Sequence, residues 1–164
     1  MELLYRLEAQ LTEILPIGLV PEGVRLDVHF DGRITHGQLA GAQLRGIDYL
    51  LLRSDGVGVV DAREAVVADE GHVEIKAQGY LVPPEDVELP PPDVILAPGF
   101  RFPDAEMPVQ EVASMRTGVA EWQGLNSTIA TLEGFVNPGT GELVLEARPL
   151  ERAGISVEAS GARG

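Results

Sequence analysis

The residues best placed to do chemistry lie in RGIDYLLLRSDGVGVVDAREAVV, residues 45–67, where Asp61, Arg63 and Glu64 interrupt an apolar run. Asp61 and Arg63 stand two apart, so on a β-strand both side chains leave one face, together with Val59, Ala65 and Val67. Glu64 leaves the other face, with Val60, Ala62 and Val66. Each face therefore mixes apolar and charged groups. A packed sandwich core would not tolerate that without pairing, whereas the interior of a ligand-binding barrel would. An Asp–Arg pair inside a pocket could bind an oxyanion or carboxylate through Arg63 and use Asp61 to orient it or to act as a base. The alternative is a structural ion pair near a strand end, because buried pairs often have structural roles alone.

Asp48 immediately precedes the apolar YLLLR stretch. Either it points inward beside Tyr49 as a second carboxylate, so that the two acids separate in pKa and divide acid and base roles, or it is a turn or edge residue. The expected catalytic set is thus Asp48, Asp61 and Arg63. Tyr49, Glu74, Trp122 and Asn126 form the expected ligand-contacting set. Trp122 stacks on a ligand or caps the core, and Asn126 bonds a ligand or closes a turn.

Other chemistries lose their usual support. His29, His36 and His72 are scattered, the chain has no cysteine, and no HExxH spacing occurs, so a metal site is not expected. There is no GxGxxG, Walker loop or GxSxG motif, and the glycines of HGQLAG do not follow a strand into a helix. No cofactor is expected.

The elements that must position these residues read as short strands. VRLDVHF alternates apolar and polar residues, with a turn at Asp31–Gly32 and glycines at 37, 41 and 46 that suggest bends or close backbone approach. DYLLLR and VGVVDAREAVV are joined through SDG as a hairpin, and DEG leads to HVEIKAQGYL. VPPEDVELPPPDVILAPG reads as an extended loop, either a lid or rim or a plain surface connection. PVQEVASMRTG is compatible with a strand or with a short helix near Glu111, and the stretches flanking NPGTG read as a terminal hairpin. ELLYRLEAQLTEILPIG satisfies both a helical and an alternating pattern. The sum is about eight antiparallel strands in meander order, an all-β protein that curls or closes into a single up-and-down-like β-barrel. The barrel domain is expected over residues 1–152, with a flexible tail over 153–164.

The chain has 164 residues, enough for one substantial domain. Its formal charge of −14, from 12 basic and 26 acidic residues, disfavours nucleic acid and anionic membranes as partners. No basic-then-apolar leader follows Met1, and no apolar run approaches a membrane span, so a soluble cytoplasmic protein is expected.

The order of features over HGQLAGAQLRGIDYLLLRSDGVGVVDAREAVVADEGHVEIKAQGYL resembles domain-of-unknown-function family 3237, also called UPF0311-like. The matching features are Gly37 and Gly41, Asp48, Asp55–Gly56, Asp61–Ala62–Arg63, Asp69–Glu70–Gly71 and Gly79, followed by FRF at 100–102, EWQGLNST and LVLEARPL. Arg45–Gly46–Ile47 stands where the family carries two adjacent glycines, and Glu70 departs from its DDG turn. The resemblance implies a small antiparallel barrel, often a dimer, with YRLEAQL as its first strand. Three functions follow as expectations: a cofactor-independent cyclase, isomerase or lyase acting on a hydrophobic, oxygenated, polyketide-like molecule; a non-catalytic binder of a small apolar molecule; or a filled barrel with a structural or interaction role. The expected partners are a hydrophobic small molecule and a second copy in a homodimer.

Overall fold

A computed structural model describes residues 2–151; the expected tail over 153–164 lies outside the described residues. Eight strands run in order: β1 (Tyr5–Val20), β2 (Gly23–Gly37), β3 (Gln43–Leu52), β4 (Gly58–Ala68), β5 (Gly71–Leu81), β6 (Met107–Thr117), β7 (Ile129–Asn137) and β8 (Glu142–Pro149). Each pairs antiparallel with the next, and β8 pairs back onto β1, so the sheet closes into a barrel. The all-β barrel expected from the strand pattern is the architecture observed. Closure removes the edges that eight strands would otherwise leave exposed. Among the described residues, no helix is long and apolar enough to cross a membrane.

The two ambiguous segments resolve as strands. Tyr5 and Leu7 of β1 are buried and pair with both β2 and β8, so contacts distant in sequence override the helical spacing of the leucines. In β6, Met107, Val109, Glu111, Ala113 and Met115 alternate inward at the period of a strand, and Glu111 belongs to that row rather than to a helix.

The barrel has two differently closed ends. At one, an eight-residue 3-10 segment in the β6–β7 connection, η1 (Ala120–Ser127), carries Trp122 and Leu125 into the core. At the other, the proline-rich segment 82–106 crosses the mouth between β5 and β6. Its one-turn helix α1 (Pro92–Ile95) buries Ile95, and Phe100 and Phe102 meet edge to face with ring centres 5.0 Å apart. The Asp104 carboxylate accepts a 2.8 Å hydrogen bond from Asn137 Nδ2, while Asn137 Oδ1 accepts from the backbone of Gly139 and Thr140. The segment is thereby tied to the β7–β8 turn. A Cβ on Gly139 would stand 2.6 Å from Asp104 Cα, so only glycine allows this approach.

Candidate functional site

Inward-facing residues alternate along every strand, and most are aliphatic. Three are not. β3 supplies Asp48, β4 supplies Glu64 and β6 supplies Glu111, and all three line one cavity of about 80 Å³ in the barrel interior. About 10–15 Å³ of such space holds one water, so the cavity has room for several waters or one slender molecule. Leu26, Val28, Leu50 and Val109 form part of its apolar wall, and Leu89 and Phe102 of the mouth segment reach it from the open end.

Small residues make room for the acids. Asp48, Ala62, Ala77, Ala113 and Ala130 follow one another across β3 to β7, so a belt of four alanines lies between the levels of Glu64 and Glu111. Gly46 stands opposite Glu64. A Cβ there would lie 2.7 Å from Phe30 Cζ and 2.9 Å from Glu64 Cγ, so glycine is what lets that ring and that carboxyl share the space. The row of Glu111 continues through Leu132 and Ala147 to Tyr5, which is fully buried.

The electrostatics of the cluster follow from burial without ion pairs. Among the described residues, no ion pair reaches Asp48, Glu64 or Glu111. Glu64 Oε2, Glu111 Oε2 and the Tyr5 hydroxyl are buried without a hydrogen-bond partner. Burial pushes Glu64 up to about 8, and the neighbouring Asp48 charge adds to the rise. Burial likewise holds Glu111 well above the usual carboxylate range, with Glu64 and Asp48 contributing. Tyr5 is raised by burial and by the two glutamates. Asp48 differs from the glutamates. Burial raises it to about 7, but its Oδ1 accepts a 2.9 Å hydrogen bond from the Asp61 backbone N–H, and Arg25 favours its charged form. Asp61 and Asp27 oppose that charge. The result is one carboxyl poised to ionise near neutrality beside two that hold their protons.

The expected inward pair is corrected. Asp61 and Arg63 lie on the outer face of β4, because Val60, Ala62, Glu64 and Val66 take the inner one. The more apolar parity wins the interior, and the buried charge is the glutamate. Arg63 is 53% exposed and meets Glu74, also exposed, at 3.5 Å; Asp61 Oδ1 accepts from Gln78 Nε2 at 3.4 Å. Tyr49, Arg63 and Glu74 share a groove on the outer side of the barrel wall with His29 and His72. Trp122 is buried at the η1 end, where it caps the core. Asn126 closes a turn: its Oδ1 accepts from Thr117 N at 2.8 Å, and its Nδ2 donates to Thr117 O at 3.0 Å. Of the seven residues expected at the site, Asp48 alone lines the cavity.

Glu64, Glu111 and Tyr5 complete the cluster without having been expected there. The signal was present for Glu111, a lone acid in the row Met107, Val109, Ala113 and Met115. Glu64 occupies the same position in the row Val60, Ala62 and Val66.

The fold and this interior define the class of molecule: a closed eight-stranded antiparallel barrel with an apolar cavity floored by carboxyl groups. No family model and no curated protein matches the chain, so the resemblance to family 3237 rests on the ordered motifs alone. Solved structures do match. A protein of unknown function from Clostridium acetobutylicum is similar at a TM-score of 0.71 and 19% identity, over 92% of this chain and 98% of that one. A β-barrel-like protein from Acinetobacter baumannii gives 0.67 and 19%, over 92% and 94%. A conserved protein of unknown function from Rhodopseudomonas palustris gives 0.66 and 16%, over 90% and 95%. These likenesses establish the fold.

Proposed function

We propose that the protein binds a slender, largely apolar carbonyl compound in the barrel and moves a proton on it without a cofactor, as an isomerase does. The observation that carries this reading is the cluster itself: three carboxyls from three strands on one apolar cavity, of which Asp48 keeps a hydrogen-bond donor and Glu64 and Glu111 each have an unpartnered oxygen. Asp48, with one oxygen held by the Asp61 N–H, is the base. It takes a proton from the carbon next to the carbonyl, and the C–H electron pair moves into the new C=C bond as the carbonyl oxygen becomes an enol or enolate oxygen. Glu64 or Glu111, still protonated, donates to that oxygen. Return of the proton to the same carbon gives exchange, and its delivery further along a conjugated chain gives an isomer. The apolar walls exclude water and strengthen both interactions. Arg63, expected to stabilise the developing charge, has no part in this scheme because it lies outside the barrel wall.

The test uses cyclopentanone in D₂O, with loss of its α-proton signal followed by NMR. Wild-type protein should accelerate exchange, and Asp48→Asn, which can keep the bond to Asp61 N–H, should lower the protein-dependent rate about 10²–10⁴-fold. Arg63→Met should exchange at the wild-type rate. An Asp48→Asn variant that is folded and fully active would remove the base from the scheme.

A further inference from the structure

Beyond proton transfer, the floor of the cavity presents three carboxyl groups and no cationic side chain among its described lining residues. Two of its carboxyl oxygens, on Glu64 and Glu111, are buried and unpartnered, as is the Tyr5 hydroxyl on β1. An unsatisfied polar group in an apolar interior is costly, so a ligand that satisfies several at once gains what the empty site lacks. A primary ammonium is such a group: it has three N–H donors, no acceptor, and the charge that a carboxylate cluster needs. A carboxylate ligand would instead add a fourth acid to the same space. The remaining wall is hydrocarbon up to Leu89 and Phe102, which suits an unbranched chain of a few methylenes.

We propose that the cavity floor takes the ammonium group of a slender primary alkylamine, with its N–H donors directed at Asp48, Glu64 and Glu111 and its chain lying toward Phe102. This shares with the preceding proposal only the reading of the cavity as a ligand site. Binding a cation there draws the carboxyls into their charged form, so the complex forms with release of a proton wherever the free site is protonated. The groups that set this balance are Asp48 on β3, Glu64 on β4, Glu111 on β6 and Tyr5 on β1, with Asp27, Asp61 and Arg25 acting on Asp48. An alkylamine stays protonated well past neutrality, as the lysine side chain does at a pKa of about 10.4.

Calorimetric titration of the full chain with butylamine, butanol and butyrate, at about pH 6 and about pH 8 and in two buffers of different ionisation enthalpy, tests the assignment. Butylamine should bind with release of a proton at the lower pH, and up to about tenfold more tightly per pH unit as the carboxyls ionise. Butyrate should not bind. Glu64→Gln and Glu111→Gln, each shown to be folded by circular dichroism, should weaken butylamine about tenfold or more while leaving butanol little changed. Butylamine binding no better than butanol, or with no dependence on pH, would overturn the proposal. Amine binding without ketone exchange would count against the proton-transfer reading alone, and exchange without amine binding against this one alone.

Discussion

Asp48 and Glu64 face the same cavity, and burial raises both; Asp48 starts from the lower carboxyl value and keeps one hydrogen-bond donor. The Asp61 backbone N–H holds Asp48 nearer to ionisation, at about 7, while Glu64, without such a donor, stays protonated to about 8. A base must be charged and an acid neutral, so exchange should rise as pH passes about 7 and fall as it passes about 8. The expected profile of ketone exchange against pH is a narrow bell whose limbs belong to the coupled cluster rather than to single residues. A rate that climbed steadily through both limbs would point to hydroxide rather than the protein as the base. Glu64→Gln should flatten the alkaline limb, because an amide keeps an N–H donor that does not titrate in this range.

At the scale of the element, β3 and β4 face each other through Gly46 and Glu64, and this pairing controls the shape of the floor. An added methyl at Gly46 would press on the end of Phe30, on Glu64 Cγ and on the Arg63 carbonyl oxygen, 3.0 Å away. The strand backbone cannot yield freely, since it is hydrogen-bonded on both sides. Gly46→Ala should therefore lower stability by about 1–3 kcal/mol in urea unfolding and displace Glu64 enough to slow ketone exchange. An unchanged midpoint and rate would mean that the floor has slack there. The mouth segment is held differently, by the Asn137–Asp104 bond and by apolar contacts of Ile95 and Phe102 rather than by strand pairing. It is therefore the element through which a ligand would most readily enter.

For the whole molecule, the cluster links folding to protonation. Asp48, Glu64 and Glu111 bind their protons more tightly folded than unfolded, so the native state holds extra protons between the two sets of pKa values. Their contribution is fully present below about 4, the ordinary carboxylate range, and is lost as pH rises through about 7 to 8. Asp55 and Glu146 are lowered by their arginine partners and act in the opposite sense, but Asp55 is exposed and Glu146 partly so, and solvent screening leaves both a small contribution. The formal charge of −14 adds self-repulsion as pH rises. Urea unfolding of wild type and Glu64→Gln across this range separates the two effects. Relative to wild type, the variant should gain about 3–5 kcal/mol between acid and pH 8, because it no longer has to stay protonated. Parallel curves for the two proteins would mean that Glu64 ionises freely in the folded state.

The sequence by itself determined the architecture. Period-two alternation and the turns at SDG, DEG and NPGTG lead to an eight-stranded meander, because strand period and turn chemistry are local properties; β1, whose leucines also fit a helix, became a strand only by pairing with β2 and β8. It also contained the inner faces: Val60, Ala62, Glu64 and Val66 on one strand, and Met107, Val109, Glu111, Ala113 and Met115 on another. Which parity of β4 turned inward was decided only by closure. The Asp61–Arg63 face finds partners in Gln78 and Glu74 on the outer surface, whereas the more apolar face takes Glu64 inside with it. Tertiary structure alone also brought Asp48, Glu64, Glu111 and Tyr5 together from four strands. Their proximity depends on strand register and on a belt of alanines drawn from four strands, which no single segment specifies.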